Sequence, residues 1–549
     1  MPSHPIRHLV AVAAGIASLS LVLAGCATTS AGTSADSAPV SGGHLTWGVE
    51  TEPATLNPQL NGQDKTKLLL RNAYESLLSR TDKGVYKPGL ADTHSVSSDE
   101  LGYTFHLRSG ITFTDGQKLD AAALITNLKK QIDPSYNPYG AAGPLSHVVD
   151  FTAKDDSTVE LRLKTKYAPF LAFVANLPII SPASFDRADV KAGGPDIAGT
   201  GPFVLTKYVK GQQVDFTKNK KYAWAPGTAK HSGAAYLDSV TYRFLPEASV
   251  RLGALQSGQV DVIEGVPGTN AAQFKDNPKY SYETALNTGT PYSLYFNSTF
   301  GPTTDERVRT AFRDAVDLDA VVKSVYGGQR VRAWSAVSPQ DPDFYDKTLE
   351  KTYGNDIKAA NALLDEAGWT GKDAQGFRTK DGARLTITDY QSKPYVRDSR
   401  DVLLQAIQAQ VKQNVGIDFD VQEVDAGTST QHLTAADYGA FDNSNTDPDG
   451  IDIEYHWLPN DKGGFINLSR ASDPQLSEWL AAAQQTTDVA ERAKNYNALQ
   501  QFVIADKAYS FPLYEPADQI AAAKYVHGTG FRPYRQLPEN VYDVWIAKH

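Results

Sequence analysis

The stretch Asn445 to Glu454 reads NTDPDGIDIE and places four acids, Asp447, Asp449, Asp452 and Glu454, within eight residues. Carboxylates this dense can hold a metal ion, act as a general acid and base, or pair with a cationic ligand. Asn445, Asp447, Asp449 and Gly450 match the first half of a calcium-binding EF-hand loop. The twelfth position, however, is His456 rather than a bidentate Glu, and no helical heptads flank the loop. A catalytic carboxylate pair needs a partner arrangement, and the chain has no G-x-S-x-G or H-E-x-x-H motif. We therefore read it as a non-enzyme. The third use rests on simple electrostatics. A buried ammonium needs a compensating charge and hydrogen bonds, and one carboxylate supplies both. Asp-Pro and Asp-Gly are also turn formers, a reading that leaves Asp449, Asp452 and Glu454 on a solvated turn.

Other ligating residues add little. The eleven His are scattered, whereas metal affinity needs imidazoles or carboxylates that converge. Cys26 is the only Cys, which excludes a disulfide framework and a thiolate metal site. No metal and no cofactor is expected. The net charge of −10 argues against a nucleic-acid partner.

The elements that must position these residues begin with a leader. Leu9 to Ala24 is almost entirely apolar or small, follows Arg7, and is too short for a bilayer span. It ends in Leu23-Ala24-Gly25-Cys26, which resembles the lipobox of bacterial lipoproteins, where the Cys thiol is lipidated. Residues 1–25 are thus expected to be a signal peptide. Residues 26–43, small, polar and without aromatics, are expected to form a flexible tether behind the lipidated Cys26. The remaining body is too large for one core. Helical and strand patterns interleave along it, giving a mixed α/β class. In DERVRTAFRDAVDLDAVVKSVYGG, Asp305 reads as an N-cap and Gly327-Gly328 as the stop. NDIKAANALLDEAGW repeats that grammar. SRDVLLQAIQAQVKQNVG reads as a helix that runs into the alternating strand IDFDVQEV.

Seven landmarks in order carry a resemblance. They are YESLLSRTDKGVYKPGLADTHSV with YTFHLRSGITFTDGQKLDAAAL, GTGPFVLTKYVKGQQVDFTKNKKY, LQSGQVDVIEGV, LYFNSTFGPTTDERVRTAFRDAVD, ANALLDEAGW, VGIDFDV and FPLYEPADQIAAAKYVHGTG. Together they resemble the oligopeptide/dipeptide/nickel-binding family of ABC-importer solute-binding proteins. The resemblance implies a two-lobed periplasmic-binding-protein-like α/β fold with a hinged cleft and an extra subdomain on one lobe. Residues 44–74, 182–289 and 513–549 would form lobe I, residues 75–181 the subdomain, and residues 290–512 lobe II. The crossings between lobes would fall near Gly289 to Tyr292 and near Ser510 to Tyr514.

In peptide-binding members of that family, one Asp pairs with the ligand's ammonium just after a strand that runs alongside the peptide. Here the resemblance implies Asp447 for that role and Asn443, Ser444 and Asn445 for the strand. It implies a second backbone edge at Asn61, Gly62, Gln63 and Asp64. Tyr139 would be an aromatic contact from the subdomain, and Arg400 a cation for a ligand carboxylate. The expected function is a lipid-anchored receptor on the extracytoplasmic face of the cell membrane. It would be a monomer that delivers short peptides to permease and ATPase subunits. Two alternatives stay open. One is a non-peptide cargo, such as a cationic or siderophore-like solute, a sugar or a nickel complex. The other is an orphan envelope or signalling lipoprotein.

Overall fold

The strand His44–Val49 lies in the middle of a sheet because both of its neighbours arrive later in the chain. It buries Leu45, Trp47 and Val49 and pairs in parallel with Ser239–Phe244 on one side and Val262–Glu264 on the other. The computed structural model describes residues 38–547, apart from 61, 64–66, 68, 82, 138–142, 448, 461–465 and 532–539. The expected signal peptide, Cys26, most of the tether, Asn61, Asp64 and Tyr139 lie outside the described residues.

Seven strands form this first sheet, in the order Tyr280–Leu286, Ala517–Ala523, Val262–Glu264, His44–Val49, Ser239–Phe244, Gln213–Lys218 and Phe203–Val209. The helix Ala248–Gln256 makes the crossover between two of the parallel strands. Arg251 pins it there, buried and donating to the carbonyls of Leu245, Pro246, Glu264 and Gly265. A separate antiparallel sheet runs Ala91–Val96, Gly102–Leu107, Thr158–Leu163, Val148–Ala153. The helix Ala121–Gln131 packs against it, capped by the Asp120 carboxylate on the Ala123 N–H. Phe105, Leu124 and Leu161 of this unit share one hydrophobic core with Trp47 and Tyr242 of the first sheet. The unit is therefore built onto the first lobe rather than standing alone.

The second lobe has its own core, around Phe296, Phe312, Phe419 and Trp457. Its sheet runs Val331–Arg332, Ser510–Glu515, Thr290–Phe296, Ala440–Asn445, Thr386–Ser392, Asp418–Val424. The segment between Asp305 and Gly327 forms two helices, Glu306–Asp314 and Leu318–Tyr326, because Asp317 offers a second cap, accepting from the Ala320 N–H. The helix Arg400–Val415 ends at Gly416 in the left-handed region and feeds the strand Asp418–Val424, as its sequence predicts.

The chain changes sheet at Asn287–Gly289 and again at Pro516, and the two passages lie side by side, with the Asn287 N–H donating to the Pro516 carbonyl at 2.9 Å. The expected windows sit slightly too far into the second lobe. Thr290–Phe296 and Ser510–Glu515 are both complete strands of the second sheet. The boundary expected at 513 therefore falls inside a strand, and the return to the first lobe comes at Pro516, whose nitrogen carries no hydrogen to continue the ladder.

Candidate functional site

The strand Ala440–Asn445 reads AFDNSN, with its first three residues buried and its last three half-buried. On one side it pairs antiparallel with Thr290–Phe296, with Ser293 opposite Asn443 and Thr290 opposite Asn445. On the other side it meets Thr386–Ser392 only at Asp389 opposite Ala440. Among the described residues, the Asn443–Asn445 backbone therefore has no strand along that second side. Such an edge accepts an added extended chain through main-chain hydrogen bonds.

Just past this edge lies Asp447, its Oδ1 3.9 Å from the Lys67 Nζ of the first lobe; the two side chains are 28% and 32% exposed, respectively. An ion pair this long and this wet contributes at most about 1 kcal/mol, so it would be readily displaced by a better-placed cation. Lys67 follows closely on Gly62 and Gln63 in the chain. Gly62 is exposed with open space around it. Gln63 braces the loop from inside, its side-chain oxygen accepting the Ala54 N–H at 2.6 Å and its carbonyl the Lys67 N–H at 3.2 Å.

The other three acids are not on a solvated turn. Gly450, at φ +77°, ends the turn and starts the helix Ile451–Trp457, which carries Asp452 and Glu454 inward. Asp449 is ion-paired with Arg492 at 2.8 Å, and its N–H reaches the Asp341 carboxylate at 3.3 Å. Asp452 is buried beside Gly289. Glu454 is buried and accepts the Tyr167 hydroxyl at 2.5 Å, with the His147 ring stacked on Tyr167 and its Nε2 3.9 Å from Glu454. Beside it the Ala168 N–H donates to the Gln484 carbonyl at 2.7 Å. Tyr167 packs in the first lobe's core, so this is a buried contact between lobes that the sequence analysis did not find. His456 stacks on Tyr295 with its Nδ1 on the Asp452 carbonyl. Burial pushes its pKa down to about 4, so the last position of the would-be calcium loop is a neutral core histidine. Among the described residues no group of three or more His, Cys, Asp or Glu is placed to hold a metal ion.

Asp341 is also buried. Burial, then repulsion from Asp449, raises its pKa to about 6, with Arg80 opposing. A folded value above the unfolded one means the native state binds the extra proton. Stability from this group is complete below about pH 4 and falls as pH rises through 6. Asp341→Asn keeps an acceptor for the Asp449 N–H and removes the buried charge. It should raise stability by about 2 kcal/mol at pH 7.5 and by far less at pH 4. Thermal unfolding at the two pH values checks this; equal shifts at both would contradict it.

Arg400 is buried, where a cation-rich run such as KPYVRDSR suggests a solvated helix start. Its guanidinium lies 4.1 Å from the Tyr292 ring centroid and donates to Ser444 Oγ at 2.7 Å, Tyr514 Oη at 3.2 Å and the Tyr395 carbonyl at 3.3 Å. Tyr292 in turn donates to Asp442 Oδ2 at 2.7 Å. Asp442 lies beside Asp389; burial raises both carboxyls, and the charge of Asp442 adds to the rise at Asp389. The structure thus joins Arg400 to the Asn443–Asn445 edge through Ser444.

Two lobes, each with its own sheet and core, joined by two adjacent passages and meeting over an unpaired strand edge, define a two-lobed binding protein. The chain belongs to the bacterial extracellular solute-binding proteins, family 5, whose sequence model (described as the family's "Middle" part) matches residues 85–461. It is 30% identical over 476 residues to Protein XP55 of Streptomyces lividans, covering 84% of this chain and 82% of that protein. It is 28% identical over 499 residues to the glutathione-binding protein GsiB of Escherichia coli O1:K1, covering 87% and 89%. Its fold matches that of the oligopeptide-binding protein AppA from Bacillus subtilis in complex with a nonapeptide, with a TM-score of 0.81 and 23% identity over 93% of this chain and all of that one. The chain is therefore an extracellular solute-binding protein of two-lobed α/β fold.

Proposed function

We propose that this protein is the lipid-anchored receptor of an ABC importer, and that it captures short peptides between its lobes for delivery to permease and ATPase subunits. The observation that carries this reading is the unpaired Asn443–Asn445 edge with a carboxylate, Asp447, beyond one end and a guanidinium, Arg400, held against Ser444. An extended ligand laid on that edge exchanges main-chain hydrogen bonds with it, which gives affinity without choosing side chains. Its ammonium meets Asp447 and its carboxylate meets Arg400. Ser444 and Asp447 are three residues apart, at most about 10 Å, which suits a peptide of two or three residues. The peptide and glutathione ligands of the relatives support the same class of cargo. The lipid anchor rests on the Leu23-Ala24-Gly25-Cys26 motif, and the protein acts as a monomer.

Native mass spectrometry of the protein purified gently from its host tests the cargo. A ladder of added masses that fragment as short peptides is expected. A single non-peptide mass would keep the binding-protein class and overturn the peptide reading.

A further inference from the structure

Arg400 is not alone. Arg330, Arg397 and Arg400 converge with Asp398 on one spot where the lobes meet. The side chains of Arg330, Arg397 and Asp398 are 7%, 10% and 7% exposed, and Arg400 is 2% exposed. Arg330 lies 3.5 Å from Asp398 and donates to Gln519 Oε1 of the first lobe at 3.2 Å. Arg397 lies 3.9 Å from the same Asp398. Tyr326 and Tyr514, whose rings lie 4.8 Å apart, tie the group together, with Arg330 over Tyr326 and Arg400 bonded to Tyr514. Among the described residues, Asp398 is the only carboxylate at ion-pair distance from any of the three arginines. The Nε groups of Arg330 and Arg397 are buried without a hydrogen-bond acceptor, the Arg397 Nε reaching Asp398 Oδ2 only at the ion-pair distance of 3.9 Å. Asp442 stands behind Tyr292, and Asp401 lies in the first turn of the helix that Arg400 opens.

Burying a guanidinium without full compensation is strongly unfavourable, and here the group reaches the strand edge through Arg400 and Ser444. The helix Arg400–Val415 also begins at this point. Its cap, Ser399, makes no side-chain hydrogen bond, so the positive end of a 16-residue helix adds to the same potential. We infer that Arg330 and Arg397, with Arg400, form an anion subsite that selects peptides carrying a second carboxylate near the C-terminus. The preferred cargo is an acidic di- or tripeptide rather than a neutral or basic one. This rests on the peptide reading given above and adds what that reading leaves open, the charge of the side chain.

The test uses the full chain and three probes: Ala-Ala-Glu, its isostere Ala-Ala-Gln, and citrate. Calorimetric titration is expected to show Ala-Ala-Glu binding at least tenfold tighter than Ala-Ala-Gln. Arg330→Gln and Arg397→Gln should each bring that ratio towards one while changing the Ala-Ala-Gln affinity less than threefold, which also shows that the variants are folded. Equal binding of the two peptides to the unaltered protein, or a ratio that survives both substitutions, overturns the subsite. If neither peptide binds but citrate does, in a way that Arg397→Gln abolishes, the subsite stands and the peptide reading falls. If none of the three binds, both fall.

Discussion

Asp447→Ala is expected to weaken the binding of a free-amine tripeptide a hundredfold or more while leaving the unliganded fold almost untouched. The two halves of this expectation have different causes. In the unliganded protein, Asp447 is partly exposed and makes one long contact to Lys67. Removing such a pair costs less than about 1 kcal/mol. With a peptide seated on the Asn443–Asn445 edge, the same carboxylate would face an ammonium shut between the lobes. Truncating one partner of a desolvated charge pair costs about 2–5 kcal/mol, much of it from the charge left unpaired. Titration with Ala-Ala-Ala and thermal unfolding without ligand measure the two halves separately. A loss of affinity below threefold would mean that the ammonium is held elsewhere.

The second large effect is expected at the first passage between lobes. Gly289 sits at φ +82°, where a side chain is strained. A Cβ built there would lie 2.2 Å from Asp452 Oδ2, 2.5 Å from the Asn445 carbonyl oxygen and 2.7 Å from the Thr446 Cα. Two of these atoms belong to the end of the strand edge and the third to a buried carboxylate, so neither side gives way cheaply. Gly289→Ala should destabilise the protein by about 3 kcal/mol or more. It should also weaken peptide binding by displacing Asn445. Gly253→Ala, placed in open space on the exposed face of the helix Ala248–Gln256, is the control and should do neither. Denaturant unfolding and peptide titration of the two variants check this. A Gly289→Ala protein as stable as the parent would show that the passage is not packed as described.

These two sites also mark how much could be read from the chain before its structure. Local grammar was legible. Asp305 and Asp356 cap helices, Gly368 and Gly416 take the positive φ that stops them, and the alternation of Asp418–Val424 is a real strand. The acids after Asp447 read as a solvated turn because their neighbours are distant in sequence. Tyr167 lies 287 residues from Glu454, and no local pattern pairs them. The run KPYVRDSR looks solvated because it is rich in charge and contains a proline. Asp398 and Ser399 both adopt the left-handed region, at φ +54° and +55°, and this turn carries Arg400 over the Tyr292 ring and onto the Tyr514 hydroxyl. Side chains such as Asp can enter that region, but nothing in the sequence says that a given one does. The contact between Lys67 and Asp447 was likewise invisible, since it depends on how the two lobes meet.

The central claim is that Asp447 holds the ligand's ammonium at the end of a strand edge. The most direct measurement is a titration cycle with Ala-Ala-Ala and its N-acetylated form against the parent protein and Asp447→Ala. Acetylation removes the charge and keeps the backbone. We expect it to cost the parent protein a hundredfold or more and the variant less than threefold, so that the two losses are not additive. Equal losses in both proteins, or an acetylated peptide that binds the parent protein as well as the free one, would contradict the account.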